Sequence, residues 1–436
     1  MPRVLADVTP LRHSPEFRRL WLGQMVPGVG SQLTIVGVAY QTYRLTHSSF
    51  MVGLVSLVQF VPLLFGSLYG GSIADAHDRR RVLLVAQLAL AATSLGLALN
   101  ARLSHPLLWP VFACTAASAA FQGLDMPARK AALPMIVSVA ELPAANALQQ
   151  ILFQVAAVVG PALAGLLIAS AGLSVVYWCD VVSFGAAITA VVMLPPLIPR
   201  GGGTKAGLRS IAEGMRYLRS QRLLASTFLI DINAMVFGMP RALFPALGTG
   251  LYGGGAGTVG LLYAAPAGGA LIGALLTGWV GRVRRQGRAV VVAVIVWGAA
   301  IAVFGLIPIL WVGLLLLALA GAADVISAVF RNVILQTTVP EHLQGRLSGV
   351  FTAVVTGGPR LGDAEAGAVA AAAGVQASVV SGGLACVAGV GVIVWRIPEL
   401  WRYDVRGALL PNANPERGMA EAVQDAVIEL SESEPS

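Results

Sequence analysis

The chain has 436 residues, of which 56% are hydrophobic and 11% are charged, and its mean hydropathy is +0.77. Because soluble domains carry about 25% charged residues, this composition excludes a water-soluble globular protein. The net charge of +8 would suit a nucleic-acid-binding protein, but the basic residues lie where membrane topology puts them, so we expect no nucleic-acid partner.

Apolar stretches recur along the whole chain, each with the roughly 20 residues that an α-helix needs to cross a hydrocarbon core of about 30 Å. They predict an all-α membrane protein with twelve transmembrane helices, the ninth and tenth being separated near Pro308. The predicted spans are residues 20–42, 51–73, 82–100, 107–125, 147–169, 175–195, 223–246, 258–280, 289–307, 309–330, 347–371 and 375–396.

Lysine and arginine are distributed unequally between the two faces that these helices define. Arg44 and Arg102 fall in loops on one face, whereas most of the other basic residues fall in the termini and in loops on the other face. Because basic loops stay in the cytoplasm, both termini are predicted to be cytoplasmic. The predicted segments are a cytoplasmic N-terminal segment (1–19), two pseudo-symmetric six-helix bundles (20–195 and 223–397), a central cytoplasmic loop between them (196–222) and a cytoplasmic tail (398–436).

The central loop and the tail differ in character. Leu208, Ile211, Met215 and Leu218 share one face of a helix over residues 207–222, with arginines on the other side, which predicts an amphipathic helix at the membrane surface. Residues 411–436 are rich in glutamate and aspartate, which predicts a solvated, partly disordered tail.

The two halves of the chain share a repeat with a period of 207 residues. Val52-Gly53-Leu54 recurs as Val259-Gly260-Leu261, and in the same register Gly66, Gly71 and Arg81 fall on Gly273, Gly278 and Arg288. Two similar membrane halves joined end to end are typical of a secondary transporter, whose substrate site lies between the halves.

The segment between the second and third helices reads Gly71-Ser-Ile-Ala-Asp75-Ala-His-Asp-Arg79-Arg80-Arg81. A glycine permits close helix contact, and Asp75 can meet the positive end of a helix in the other half. We therefore predict a cytoplasmic gate formed by Gly71, Asp75, Arg79, Arg80 and the equivalent Gly278. The alternative is that the arginines only orient the chain in the membrane.

Several charged residues lie inside or at the ends of predicted spans, where a charge is costly unless it is paired or solvated. Asp231 is in helix seven, Asp324 and Arg331 share a face of helix ten, and Arg360 and Asp363 are three residues apart in helix eleven, where they can pair. These residues are predicted to couple transport to protons, with Asp324 or Asp363 loading and releasing one. The alternative is a fixed structural ion pair. Asp180, by contrast, is predicted to be a water-exposed cap of helix six.

The substrate cavity is predicted to be lined by helices one, four, seven and ten. Hydrogen-bonding groups and an aromatic ring on these helices suit a bulky amphiphilic solute. The residues selected are Gln24, Gln32, Phe121, Gln122 and Asn233. In helix five, Gly160 and Pro161 predict a kink and a tight seam with a neighbouring helix.

Motifs for other classes of protein are missing or out of context. The GxGxxG pattern at residues 255–260 has no preceding strand, no P-loop lysine motif occurs, and all five histidines fall in predicted loops. We therefore expect no enzyme activity, no catalytic residues, no cofactor and no metal site.

Several of these motifs resemble those of the major facilitator superfamily. The segment at 71–81 is similar to the signature between its second and third helices, with Ala76 and Asp78 in place of a basic residue and a glycine. The Gly160–Gly165 stretch resembles part of the Gly-Pro signature of its exporters, whereas Ala119 stands where its proton-coupled drug antiporters carry an arginine. Segments 243–247, 260–265, 273–275, 335–337, 340–341, 345–346 and 362–363 resemble the enterobactin-exporter branch, which also contains drug efflux proteins.

The resemblance implies a twelve-helix major facilitator fold, an inner-membrane location and outward transport driven by an ion gradient. We therefore predict a monomeric secondary transporter that exports amphiphilic organic molecules, of siderophore or drug type, by proton antiport and alternating access. Two alternatives are an uptake carrier for a small metabolite and a non-transporting membrane sensor or scaffold that uses the acidic tail.

Overall fold

A computed structural model describes residues 7–199, 215–339 and 341–404, except for the side chains of 281, 282, 341–346 and 348–353. Within this part, twelve long helices follow one another along the chain. They are α1 (Pro15–Thr46), α2 (Ser49–Ala76), α3 (Arg79–Arg102), α4 (Leu108–Ile136), α5 (Leu142–Ala171), α6 (Leu173–Val192), α7 (Arg222–Phe237), α8 (Gly255–Leu275), α9 (Gln286–Phe304), α10 (Leu310–Thr338), α11 (Glu341–Ala373) and α12 (Val375–Arg396). The predicted all-α class and the count of twelve are confirmed.

The outer surface of the helices suits a lipid bilayer. Nine membrane-length segments of the described chain, α7 with its continuation to Leu251 being one, are long and apolar enough to span a membrane by length and composition alone. Large apolar side chains point outward, including Trp311 (73% exposed), Leu315 (71%) and Trp109 (68%). The other three long helices, α1, α4 and α11, are not among these nine segments.

Several helices extend beyond the predicted spans. In α1 the helix begins at Pro15, where the Ser14 hydroxyl accepts a hydrogen bond from the Phe17 backbone N–H (3.0 Å). At its far end, α4 continues to Ile136 and so includes Arg129. Hydropathy marks where the hydrocarbon core ends, but backbone hydrogen bonding continues into the interface, so apolar length underestimates helix length.

The two halves repeat the same packing, and glycines allow the closest contacts. In the first half α2 packs on α4, with Gly66 against the backbone of Ala120; in the second half α8 packs on α10, with Gly273 against Ala322. A β-carbon on Gly273 would lie 2.9 Å from the Ala322 Cα atom. Because Gly66 and Gly273 are 207 positions apart, the sequence repeat corresponds to a structural repeat.

The halves meet along two helix pairs, α2 with α11 and α5 with α8. We call the side that carries residues 7–14 and the α2–α3 turn the N-terminal face, and the other side the opposite face. At the opposite face, Gly172 (φ +91°) joins α5 to α6 and Gly374 (φ +92°) joins α11 to α12, in a conformation that glycine adopts readily. The glycine contacts between the halves lie in the parts of the four helices nearer this face.

The central loop and the tail are described only in part. Of the predicted amphipathic helix, residues 207–214 lie outside the described residues; residues 215–220 are helical, and Leu218 is buried against Leu224, Phe228 and Leu347. This part therefore packs on the second bundle. Residues 398–404 also pack there, because Leu400 is fully buried, while 405–436 lie outside the described residues.

Candidate transport cavity and buried charges

The cavity between the halves depends on a break in α7. The helix ends at Phe237, and the chain continues through a 3-10 turn (Arg241–Leu243) and a π-helical segment (Leu247–Leu251) before α8 begins. Pro240 cannot donate a helical hydrogen bond, and the indole Nε1 of Trp297 donates to the Gly238 carbonyl (2.8 Å). Discontinuous helices of this kind commonly form substrate sites in transporters.

A cavity of about 190 Å³ lies between the halves at the level of this break. Its walls combine hydroxyl and amide groups with aliphatic and aromatic surface, as in sites for organic ligands. Residues from α1, α2, α3, α4 and α6 line one side, and Arg241, Ala242, Tyr263, Pro359, Arg360 and Asp363 line the other. Both halves therefore contribute to one site.

Asp363 joins α11 to the broken part of α7. Its Oδ1 atom accepts a hydrogen bond from the Ala242 backbone N–H (3.0 Å), while the Arg360 Nη1 atom donates to the carbonyl of Thr356 on its own helix (2.5 Å). The predicted ion pair between Arg360 and Asp363 does not form, because the carboxylate is turned toward the exposed backbone of α7. Arg360 and Asp363 nevertheless line the same cavity.

Asp231, Arg331 and Asp324 form a separate buried cluster. Arg331 Nη1 lies 2.7 Å from Asp231 Oδ1, and its Nη2 lies 3.9 Å from Asp324 Oδ1. The side chains of Arg331 and Asp231 are 5% and 2% exposed. None of the three lines the cavity between the halves. Asp324 and Arg331 thus lie on the same side of α10, and this side is directed toward α7 inside the second bundle.

Asp180 differs from its prediction as an exposed cap. It is 2% exposed and lies in the body of α6, where its Oδ2 atom accepts hydrogen bonds from Thr34 (2.7 Å) and Ser94 (2.6 Å). The prediction was wrong because α6 begins at Leu173, which puts Asp180 two turns inside the helix. Asp180 also lines the cavity.

A second charged cluster lies in the first bundle. Arg129 makes two hydrogen bonds to Asp125 on α4 (3.0 and 2.9 Å), and Gln87 of α3 donates to the same carboxylate (2.9 Å). The amide oxygen of Gln24, in the orientation that satisfies both groups, accepts from the Arg129 guanidinium. Gln24 therefore contacts an internal ion pair and does not line the cavity.

Among the other predicted substrate residues, only Gln122 lines the cavity, where it also hydrogen-bonds Ser118 (3.1 Å). Asn233 donates to the Cys386 carbonyl on α12 (2.8 Å), and Gln32 packs beneath Gly160 of α5. Phe121, next to Gln122 on α4, does not line the cavity. Of the four helices predicted to line the cavity, α1 and α4 do so, α7 does so only through Arg241 and Ala242 beyond its end, and α10 contributes no lining residue. The cavity is also lined from α2, α3, α6, α8 and α11, which were not predicted. On α1 and α4 the other selected residues missed the cavity because a one- or two-residue change rotates a side chain by 100° or 200° around the helix.

The predicted gate contacts its own half in this structure. Asp75 lies 3.6 Å from Arg79, Arg79 donates to the Ala131 carbonyl (2.8 Å), and Arg80 donates to the Val192 carbonyl (2.5 Å). A β-carbon on Gly71 or Gly278 would meet nothing within 4 Å. The close contacts expected at these two glycines are therefore absent, and the tight glycines of the repeat are Gly66 and Gly273.

The Gly160–Pro161 segment lies at a helix crossing. A β-carbon on Gly160 would overlap the Gln32 side chain, and one on Gly260 of α8 would lie 2.5 Å from the Pro161 carbonyl oxygen. Helix α5 is continuous through Pro161. The predicted seam is therefore present, and it joins α5 both to α1 and to the other half.

Most residues that line the cavity were not selected from the sequence, among them Arg241, Thr34 and Ser94. Arg241 lies inside the predicted span 223–246 and was given no role, although the Gly238-Met-Pro240 stretch could have indicated the break beside it. Thr34 and Ser94 carry no signal in a single sequence. Within the described residues, no group of three histidine, cysteine or acidic side chains is arranged to hold a metal ion.

Comparison with known proteins adds independent information. Residues 5–424 match a major facilitator family described as transmembrane secretion effectors. The chain is 30% identical over 390 residues to the enterobactin exporter EntS of Citrobacter koseri, covering 89% of this chain and 92% of that protein. It is also 30% identical over 367 residues to EntS of Escherichia coli O81, covering 84% and 88%.

Solved structures show the same fold at low sequence identity. The nucleoside transporter NupG (D323A mutant) superposes with a TM-score of 0.70 at 12% identity, covering 88% of this chain and all of that one. A bacterial homolog of the human lysosomal transporter Spinster superposes with a TM-score of 0.66 at 15% identity, covering 88% and 95%. The chain therefore belongs to the transmembrane secretion effector family of the major facilitator superfamily, and it is an enterobactin-exporter-like, multi-pass inner-membrane efflux transporter and not an enzyme.

Proposed function

We propose that this transporter exports amphiphilic organic molecules of the siderophore or drug class out of the cytoplasm by proton antiport. The observation that carries the proposal is a cavity to which both halves contribute. Between this cavity and the opposite face, two helix pairs bring the halves into contact. Rocking of the two bundles about such a cavity would expose it alternately to each side of the membrane.

The orientation follows from charge. Basic residues are concentrated in the loops of the N-terminal face, so we propose that this face is cytoplasmic and that both termini lie there. With that orientation, the contacts near the opposite face close the cavity toward the outside. Gly71, Asp75, Arg79, Arg80 and Gly278 would then form the cytoplasmic gate when the bundles rock the other way. The segment boundaries and the monomeric state also remain proposals.

The chemistry of the cavity favours a substrate with both apolar and acidic groups. Arg241 and Arg360 supply guanidinium groups on the side formed by the second half, while Phe184 and Tyr263 supply aromatic surface. The named exporters of enterobactin, at 30% identity over most of the chain, support a siderophore-type substrate. We propose that Gln122 on α4 contacts the substrate through its side-chain amide.

We assign proton coupling to the buried acids of the second half. Asp363 lies at the junction of α11 and α7 inside the cavity, so a proton on it would compete with its contact to the Ala242 backbone. The Asp231, Asp324 and Arg331 cluster would transmit changes between α7 and α10. A fixed structural pair is the competing interpretation of that cluster.

The test is transport in proteoliposomes with an imposed pH gradient, using a fluorescent cationic drug and a catecholate siderophore as separate probes. We expect gradient-driven movement of at least one probe by the wild type and loss of that movement in Asp363→Asn, with normal membrane insertion. Full gradient-driven efflux by this variant would remove Asp363 from the mechanism. Uptake against the predicted direction would favour the metabolite carrier, and loss of activity on deleting residues 411–436 would favour the scaffold.

A further inference from the structure

The first bundle contains a buried acid that the coupling scheme above does not use. Asp180 is 2% exposed, and both of its close side-chain partners on Oδ2 are hydroxyl groups, Thr34 of α1 (2.7 Å) and Ser94 of α3 (2.6 Å). On the same helix, the Ser183 hydroxyl donates to the Asp180 backbone carbonyl (2.6 Å) and lies 3.4 Å from Oδ1. Two helices thus direct hydroxyls at one carboxyl oxygen.

This site is closely packed on its Oδ1 side. A β-carbon on Gly30 would lie 2.5 Å from Asp180 Oδ1 and would overlap the Ser183 hydroxyl. Glycine at position 30 is therefore what allows α1 to approach the carboxyl group. One turn further along α1, Thr34 donates a hydrogen bond to the other carboxyl oxygen. Consecutive turns of α1 therefore approach the two oxygens of the same carboxyl group.

No cation contacts Asp180 among the described residues. Helix α5 carries no ionisable side chain, and those of α1 and α3 lie toward the ends of the helices. They are Glu16, Arg18, Arg19, Tyr40, Tyr43 and Arg44 on α1, Arg79, Arg80, Arg81 and Arg102 on α3, and Tyr177 and Cys179 beside Asp180 on α6. The interactions of the Asp180 carboxyl are with Ser94, Thr34 and Ser183. Asp180 therefore differs from Asp125 and Asp231, each of which has an arginine partner.

The carboxyl group is nevertheless reachable from the cavity. Asp180, Thr34 and Ser94 all line it, on the side opposite Arg241, Arg360 and Asp363, the charged residues that the second half contributes. A charged carboxylate without a counter-ion is costly in a membrane interior, whereas a neutral acid is tolerated there. Burial, hydroxyl partners and access to the cavity together describe a place where a proton can be held and exchanged.

We propose that Asp180, with Thr34 and Ser94, is a proton-binding site in the first half of the transporter. This inference rests on the proposed export function. In the state described here, Oδ1 carries the proton while Oδ2 accepts the two hydroxyl hydrogen bonds. When water enters the cavity, the O–H bond of the acid breaks, the proton passes to water, and the carboxylate that remains is held by Thr34 and Ser94.

The assignment places one proton site in each half. Asp180 serves the first bundle and Asp363 the second, on opposite walls of one cavity. A substrate that enters between them would displace water from both sites. Substrate binding and proton release would then be linked through the cavity itself, without a path through the protein interior.

The first test needs no substrate. Infrared difference spectra of the purified full-length protein in detergent, recorded across a pH titration, show the C=O stretch of protonated carboxylic acids. We expect Asp180→Asn to lose the component contributed by one acid, and Asp125→Asn, whose carboxylate is paired with Arg129, to keep the whole band. A band unchanged in Asp180→Asn would overturn the proposal, as would loss of the wild-type component on adding Na⁺ at constant pH.

A second variant keeps the test decisive if Asp180→Asn does not fold. Thr34→Val combined with Ser94→Ala retains the acid but removes both hydroxyl donors, so the midpoint of the Asp180 component should move. An unmoved midpoint would show that these hydroxyls do not contact a titrating group, which contradicts the proposal. Gly30→Ala, which crowds the carboxyl group, should also shift this component.

The functional arm uses proteoliposomes loaded with the fluorescent cationic drug. Under a pH gradient, we expect Asp180→Asn to accumulate at least tenfold less of the drug than the wild type does. Without a gradient, the variant should still exchange the probe. Equal gradient-driven accumulation in variant and wild type would contradict a role for Asp180. If the wild type moves neither probe, the export function fails, whereas the infrared titration still decides whether Asp180 binds a proton.

Discussion

Gly53 of α2 packs against the backbone of Asp363, and Gly260 of α8 packs against the backbone of Pro161, in two equivalent contacts between the halves. The two glycines are 207 positions apart in the sequence and stand at the centre of the repeated Val-Gly-Leu motif. Neither position has room for a β-carbon. The repeat therefore encodes both contacts that must separate if the cavity is to open at the opposite face.

A larger side chain at Gly260 should open that face. Valine would push α8 away from α5, because its β-carbon would lie 2.5 Å from the Pro161 carbonyl oxygen. We expect a longer distance between spin labels on Ser170 and Leu261, measured by pulsed electron paramagnetic resonance in a background without native cysteines. Gly185→Val, at a position with nothing within 4 Å, is the control and should leave the distance unchanged.

The buried pair of Arg331 and Asp231 predicts strongly non-additive mutations. Removing one member leaves the other charge buried without a partner, which costs about 3–5 kcal/mol in comparable sites. We expect Arg331→Gln and Asp231→Asn each to lower the unfolding temperature in detergent by more than the double variant does. Additive losses across this double-mutant cycle would mean that the pair is not coupled energetically.

Trp297 should stabilise the break in α7. Its indole donates to the Gly238 carbonyl at 2.8 Å and its side chain is 2% exposed, so phenylalanine would leave a buried carbonyl without that donor. We expect a loss of about 1–3 kcal/mol in stability, seen as a lower unfolding temperature. Trp311→Phe, at a 73% exposed position on the outer surface, is the matched control and should have little effect.

Arg241 should select substrates that carry an acidic group. A hydrogen bond between charged groups contributes about 1.5–3 kcal/mol, so Arg241→Gln should weaken binding of a catecholate siderophore about ten- to a hundredfold. Binding of the cationic drug should not weaken. The measurement is fluorescence quenching with purified protein, and Arg102→Gln, at an exposed helix end, is the control. Equal effects on both ligands would show that Arg241 does not discriminate between substrates by their charge.

Predictions that depend on chain length and apolar pattern agree closely with the structure. Twelve apolar stretches became twelve helices, and the separation expected near Pro308 lies between Phe304 and Leu310. The repeat at Gly53 and Gly260 predicted two similar halves, and the structure places both glycines where those halves meet. These features are local or periodic, so one sequence contains them.

Predictions about which side chains face the cavity were much less accurate. Gln24, Gln32 and Asn233 lie on helices predicted to line the cavity but contact Arg129, Gly160 and Cys386 instead. Hydropathy does not report helix rotation when polar residues point inward for different reasons. Some stabilise an internal ion pair, some bond a neighbouring backbone and some face the cavity, and only the packing partners distinguish them.

The sequence by itself determined the class of protein, the number of membrane helices and the division into two similar halves, because these follow from how much apolar length the bilayer requires and from a visible repeat. Only the tertiary structure decided that α7 breaks beside Arg241, that Asp363 bonds the exposed backbone there, and that Asp180 lies buried between Thr34 and Ser94. The last two arrangements join residues more than 80 positions apart, and they depend on how each helix is rotated against its neighbours.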